Sequence, residues 1–156
     1  MAETTSATDL REVFDNLVRF ETILWNTIDA RLRRDCGIPL GSFNVMLIIA
    51  ATPLCRVYDI ATALAITVGG TSQAVDRVEN AGHCLRRPNP DDRRSSILEL
   101  TPAGQDLLTA AGSVFDQELE TFLRAPLSTS AVGHLGAALA TVRAAAARRG
   151  TAAGPQ

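Results

Sequence analysis

The sequence predicts a mainly helical chain interrupted by one small β-hairpin, an α+β arrangement with long helices at both ends. Three observations carry this. Apolar residues recur at spacings of three and four over long stretches near both ends. Two short apolar stripes, joined by a turn, lie in the middle. Directly after them, a run of alternating character follows the Pro- and Asp-rich stretch PNPDDRR, the pattern of a strand leaving a tight loop.

The chain has 156 residues, 46% of them hydrophobic, enough for the core of a single domain. No run of 18 apolar residues occurs, and MAETTSATDL lacks the basic flank and apolar stretch of a signal peptide, so a cytoplasmic protein without a membrane span is expected. Cys36, Cys55 and Cys84 are odd in number and far apart, which argues against structural disulfides. The net charge of −2 excludes a protein that coats nucleic acid by bulk attraction. Any nucleic-acid contact must come from local clusters. All 15 basic residues are arginine, a bias that, with the alanine richness, fits GC-rich coding, although arginine also suits bidentate phosphate and guanine contacts.

Residues 8 to about 35 place Leu10, Val13, Phe14, Leu17, Ile28 and Leu32 on one stripe, predicting a long amphipathic helix ended by Gly37 and Pro39. From Ser42 to Ala51 the chain is apolar on nearly every side, as a central buried helix would be; Thr52 and Pro53 stop it. In RVYDIATALAITVGGTSQAVDRVENAG, Tyr58, Ile60, Ala61 and Leu64 form a short helical stripe. Thr67 is a good N-cap for a second helix, which Val75 and Val78 anchor inward, with Glu79 on the far side. Gly82 suits the left-handed position that closes it. Two short helices joined by a tight turn make a helix-turn-helix.

HCLRR and SSILEL then bracket the loop, with Ser96, Leu98 and Leu100 alternating against Ile97 and Glu99 as in a half-buried strand. The hairpin has the position and size of the wing in a winged helix-turn-helix. Thr101 caps the next helix with Pro102 at its first position. That helix is expected to reach about Leu123, its stripe being Leu108, Ala111, Phe115, Leu119 and Phe122, with Pro126 interrupting it. A last helix, about 128–148, carries Val132, Leu135, Leu139 and Val142 as a narrow seam. Helices 8–35 and 102–148 are thus assigned to dimerisation and 56–100 to the winged lobe, within one domain spanning 1–156. Residues 1–7 and 149–156 are expected to be flexible. Packing against a second copy buries the long stripes economically; a larger folded-back monomer is the alternative.

With these pieces in order, the sequence resembles the MarR family of bacterial transcriptional regulators over nearly its whole length. The resemblance rests on DIATALAITVGGTSQAVDRVENAG, on a hairpin carrying Arg86, Pro90, Asp92, Arg93 and Arg94, and on LTPAG. It implies a homodimer whose terminal helices associate and whose two winged lobes meet double-stranded DNA at a pseudo-palindromic operator, acting as a repressor that a small aromatic or acidic ligand releases. It also implies that residues 67–80 form the recognition helix. Two departures stand out: His83 and Cys84 replace two apolar residues, and Gly69-Gly70 costs the helix about 1 kcal/mol per glycine relative to alanine.

On physical grounds the expected DNA-binding set is Thr67, Gly69, Gly70, Thr71, Ser72, Gln73, Arg77, Arg86, Asp92, Arg93 and Arg94. The glycines admit close approach and leave amides open to phosphate at a helix N-terminus. Thr71, Ser72 and Gln73 offer hydroxyls and an amide, and Gln73 suits adenine N6/N7. Asp92 lies two residues before Arg94, so the two are expected to pair and pre-aim the arginine towards a narrow minor groove. Phe20, Trp25, Phe43 and Met46 are the candidate ligand-binding residues, with plain core as the competing role.

The three cysteines read as small apolar residues; Cys84, beside Arg86 and Arg87, is the one for which a redox-sensing regulator is an alternative. His83 and His134 have no partners at zinc-ligand spacing, and no catalytic motif occurs, so neither metal, cofactor nor enzyme activity is expected. A winged helix that binds proteins without DNA is the remaining alternative function.

Overall fold

The computed structural model describes residues 9–152. The elements in chain order are α1 (Leu10–Cys36), α2 (Leu40–Ala51), α3 (Val57–Leu64), α4 (Val68–Asn80), β1 (Cys84–Pro88), β2 (Ser96–Leu100), α5 (Pro102–Leu119), a π-helical turn (Glu120–Arg124) and α6 (Thr129–Ala152). Among the described residues no helix is long and apolar enough to cross a membrane. The chain divides after Phe115 into two compact units.

In the first unit α2 is the centre. Its sequence LGSFNVMLIIAA is apolar on nearly every side, and Phe43, Val45, Met46 and Ile49 are buried. A helix this apolar must be covered on most of its surface. α1 covers α2 with Ile28 and Leu32, while α3, α4 and β2 contribute Ile60, Val75, Val78 and Leu98. Phe115 lies against Phe43, ring centroids 5.1 Å apart and tilted by 45°. α2 begins at Leu40, two residues before the sequence suggested, with Pro39 at its N-cap and no local side chain to satisfy its first amides. Asp29 of α1 supplies the acceptor from a distance, taking the Leu40 N–H at 2.8 Å while pairing with Arg33 at 2.7 Å.

The helix-turn-helix follows the expected signals. Ala65 takes a left-handed conformation (φ 55°) at the turn, Thr67 caps α4, and Gly82 (φ 79°) closes it. The hairpin is antiparallel, pairing Cys84 with Leu100 and Arg86 with Leu98. Its second strand departs from simple alternation, since Ile97 and Leu98 are both buried. On its outer edge the strand is also paired: the Leu98 N–H donates to the carbonyl of Cys55, 2.7 Å away in the segment before α3.

Thr101 joins three elements. Its hydroxyl donates to the Gly82 carbonyl at 2.6 Å and accepts the Gly104 N–H at 3.0 Å, and its own N–H donates to His83 at 3.1 Å. The end of α4, the base of the wing and the start of α5 therefore meet at one side chain. Gly104 is required there because a Cβ would stand 1.9 Å from the His83 carbonyl oxygen.

Two details of the chain's C-terminal part go beyond the sequence reading. The helix expected to run to Leu123 is regular only to Leu119; the Ala125 N–H then bonds the Glu120 carbonyl in a wider π-helical turn. The last helix, capped by Ser128, continues to Ala152, so residues 149–152 are helical because an alanine-rich stretch carries the helix past the point where apolar patterning ends. Residues 1–7 and the remainder of the predicted flexible tail lie outside the described residues.

Gly104→Ala should destabilise the fold by about 1–3 kcal/mol or more through overpacking, whereas Gly112→Ala, with open space around the new methyl, should stabilise it by about 0.5–1 kcal/mol. Denaturant titration of both checks this; equal effects would remove the His83–Gly104 contact from the account.

The Asp29 carboxyl is held below its ordinary value, first by the hydrogen bond from Arg33, with the Leu40 amide adding and burial opposing. Asp35, between Arg34 and Arg31, is pushed down to about 2. A carboxylate depressed in the folded state contributes stability above its unfolded value, and that contribution disappears as pH falls through the folded value. Melting temperature should therefore drop as pH is lowered from about 4 towards 2, and Asp29→Asn should flatten part of that slope.

Candidate nucleic-acid interface

α4 presents two unlike faces. Thr71, Ala74, Val75 and Val78 are buried towards α2 and α3. Gly69, Gly70, Gln73 and Arg77 are exposed along the opposite edge, one helical stripe. At its start the Thr67 hydroxyl accepts the Gly70 N–H at 3.1 Å, and the Thr67 carbonyl accepts the Thr71 N–H at 2.9 Å. The amides of Val68 and Gly69, one turn too early for helical partners, point out of the helix end. Gly69 has nothing within 4 Å of a notional Cβ, so its bareness serves no internal packing. At Gly70 a Cβ would stand 3.2 Å from the Thr67 hydroxyl that caps it.

Thr71 does not belong to the exposed set. It is fully buried, its hydroxyl donating to the Thr67 carbonyl at 2.8 Å, because the helical phase that exposes Gly70 turns the next residue inward. Ser72 is half-buried on the flank.

The wing tip is built by short polar side chains folding back on their own backbone. The Asn89 side-chain oxygen accepts the Asp91 N–H at 3.0 Å and its amide donates to Ser95 at 2.9 Å. Asp92 accepts the Arg94 N–H at 3.0 Å, and its carbonyl accepts the Ser95 N–H at 3.1 Å. These are Asx turns, and they correct the expected Asp92–Arg94 ion pair: the carboxylate holds the arginine's backbone, and the guanidinium is left exposed. Asn89 and Ser95, absent from the expected site, are the residues that close the loop. The N-P-D-D string was the signal for them.

Arg86 is the second correction. It leaves β1 on the same hairpin face as buried Cys84 and reaches α4, where one guanidinium nitrogen donates to Asp76 at 2.6 Å and another to Glu79. Glu79 therefore faces the wing instead of lying on the helix's far side. Arg87 is likewise paired, with Glu99 at 2.5 Å across the hairpin. Among the described residues, no carboxylate pairs with Arg77, Arg93 or Arg94. The arginines without a carboxylate partner on this surface are thus three exposed guanidiniums, one on α4 and two at the wing tip.

Cys84 is buried, and its thiol is pushed up to about 11 by burial and by Glu79, with Arg86 opposing; Cys55 is pushed up to about 11 as well, chiefly by burial. Neither is a thiolate at neutral pH, which removes the basis for a redox role at Cys84. Phe43 and Met46 are fully buried. Phe20 is half-buried, and Trp25 borders a shallow surface groove with Glu21, Thr22 and Asn26. Among the described residues no three His, Cys, Asp or Glu side chains converge as metal ligands.

The same architecture recurs in solved structures. Sco3205 of Streptomyces coelicolor, a MarR family transcriptional regulator seen in complex with DNA, superposes with a TM-score of 0.81 at 24% identity, covering 88% of this chain and 90% of that one. The transcriptional repressor CouR bound to a 23-mer DNA duplex gives a TM-score of 0.76 at 27% identity, over 88% and 99% of the two chains. In sequence the chain is 30% identical over 81 residues to the HTH-type transcriptional regulator BilQ of Clostridium symbiosum, a match spanning 52% of this chain and 56% of that relative. Residues 38–96, from the residue pair before α2 to the first residue of β2, match the MarR family model. The chain is thus similar in sequence to the MarR family over residues 38–96, and it shares the fold of these solved regulators.

Proposed function

We propose that the protein is a cytoplasmic, sequence-specific DNA-binding transcriptional regulator that acts as a repressor and holds its site as a homodimer. The observation that carries this is the pairing of an exposed, small-residue α4 edge with an ordered wing tip whose two guanidiniums have no carboxylate partner. The helix-end amides, the Gln73 amide and the three unpaired guanidiniums are donors suited to phosphate or base edges, and no nucleophile is arranged with a base among them. It is a binding surface, not a catalytic one.

In this reading the Val68 and Gly69 amides meet a backbone phosphate at the positive end of α4, and Gly69-Gly70 lets the helix enter the major groove closely. Gln73, exposed one turn on, reads a base edge; Arg77 and Arg93 contact phosphates. Arg94 reaches the minor groove, its backbone held by Asp92 so that less freedom is lost on binding. Thr67 keeps its part as the cap that sets the helix end. Thr71 and Arg86 are excluded by their internal bonds.

The dimer is supported by the first half of α1, where Leu10 is 81%, Phe14 67% and Ile23 56% exposed in the single chain. Large apolar side chains in such a row call for cover, and a two-fold partner supplies it. The two recognition helices would then read half-sites about 34 Å apart, one turn of the duplex.

Genomic fragments selected on the protein should yield a pseudo-palindrome bound by two chains, as measured by light scattering of the complex; an absence of any enriched site would overturn the reading and favour a protein-binding module. On that site Arg94→Ala should weaken binding by about tenfold or more. It should also flatten the log–log salt dependence by about 0.9 per lost contact. Unchanged affinity would remove the wing tip from the interface.

A further inference from the structure

Arg86 is the arginine of the wing that cannot face DNA, and its surroundings give it a different task. It projects from β1 opposite Leu98, whose amide is fixed to Cys55. Its guanidinium forks onto Asp76 and Glu79, one turn apart on α4. The two carboxylates stand between the buried face of Val75 and Val78 and the exposed stripe of Gln73 and Arg77. The cluster holds two negative charges against one positive. On a flank beside a DNA-binding edge, net negative charge weakens attraction to phosphate. Its presence there makes sense if the fork itself is what the interface needs.

We propose that Arg86 is a positioning residue: it latches the wing to the recognition helix, so that the Arg93–Arg94 tip and the Gly69–Gln73 edge meet the duplex in one fixed register. This rests on the DNA-binding reading above. A planar guanidinium spanning two carboxylates resists both sliding and rotation of the hairpin against α4, which a single ion pair would not. Thr101 anchors the base of the wing to the end of α4. Arg86 anchors it two residues further along β1, and two separated anchors define an orientation where one leaves a hinge.

The test is the isosteric double variant Asp76→Asn/Glu79→Gln, with Arg86→Lys as its companion. Removing two negative charges should tighten binding to random DNA by electrostatics alone. The latch predicts the opposite for the selected operator: about tenfold weaker binding with the salt slope unchanged, since no phosphate contact is lost. Arg86→Lys keeps the charge but lacks the fork, and should weaken operator binding in the same direction. Hydrogen exchange of the free variants should show faster exchange at β1 and β2 amides, with little change in melting temperature. Operator binding that tightens in parallel with random DNA, or stays unchanged, would overturn the positioning role and return Arg86 to the list of direct contacts. Unaltered hairpin exchange would overturn the latch itself. If the wild-type protein selects no DNA, the functional reading and the positioning role with it fail, and the exchange measurement alone judges the latch. Should the double variant not fold, Arg86→Lys decides by the same readouts.

Discussion

The structure of the first unit depends on burying one helix. α2 has little polar surface to show water, so its neighbours are placed by the need to cover it, and the site's geometry is a consequence of that cover. Fully burying side chains such as Phe43, Val45 and Met46 is worth about 1.5–3 kcal/mol each, a gain offset by the entropy of ordering the chain around them. The arrangement also explains why α2 needs help at its start. A helix beginning after Pro39 has no side chain at its N-cap to take up its first amides, and an unpaired amide close to a core is costly. Asp29 meets that need from α1, which fixes the two helices in register as a by-product.

From this core outward, order reaches the wing through few bonds. Leu98 is tied to Cys55, and Thr101 ties the end of α4 to the start of α5. The string LTPAG is then a junction in which four of the five residues have a structural cause. Leu100 ends the strand and Thr101 bonds in two directions. Pro102 needs no amide partner, and Gly104 leaves room for the His83 carbonyl. The wing is a two-stranded ribbon, marginal alone, and it is stable here because its base is shared with two helices.

What was legible in the sequence was local. Thr67, Gly82 and Thr101 do what their neighbours in sequence imply, since a cap or a left-handed closure is decided within four residues. The long helices and the hairpin follow from periodicity for the same reason. What was not legible required knowing which side of an element faces another distant in sequence. Thr71 and Gly70 are adjacent, and only the phase of α4 on α2 decides that one is buried and the other bare. Arg86 looked like one more charge in a basic cluster because its partners lie seven and ten residues earlier, on a different element. Phe43 is buried against Phe115, a residue that sequence alone does not bring near it.

The same distinction resolves how an acidic chain presents a basic surface. Totals of charge describe the average field far from the molecule; at contact distance the pattern of pairing decides the sign. Here Asp76 and Glu79 neutralise Arg86, and Glu99 neutralises Arg87, so the carboxylates nearest the interface are engaged in holding the wing. Asp92 is engaged too, but with a backbone amide, which leaves the Arg94 side chain unneutralised. Glu99 and Asp92 on the wing, with Asp76 and Glu79 on α4, therefore each organise an arginine or its backbone, and the arginines without a carboxylate partner here are Arg77, Arg93 and Arg94. A chain built this way avoids the indiscriminate attraction of a basic protein while keeping its cations at the few points where a duplex would meet them.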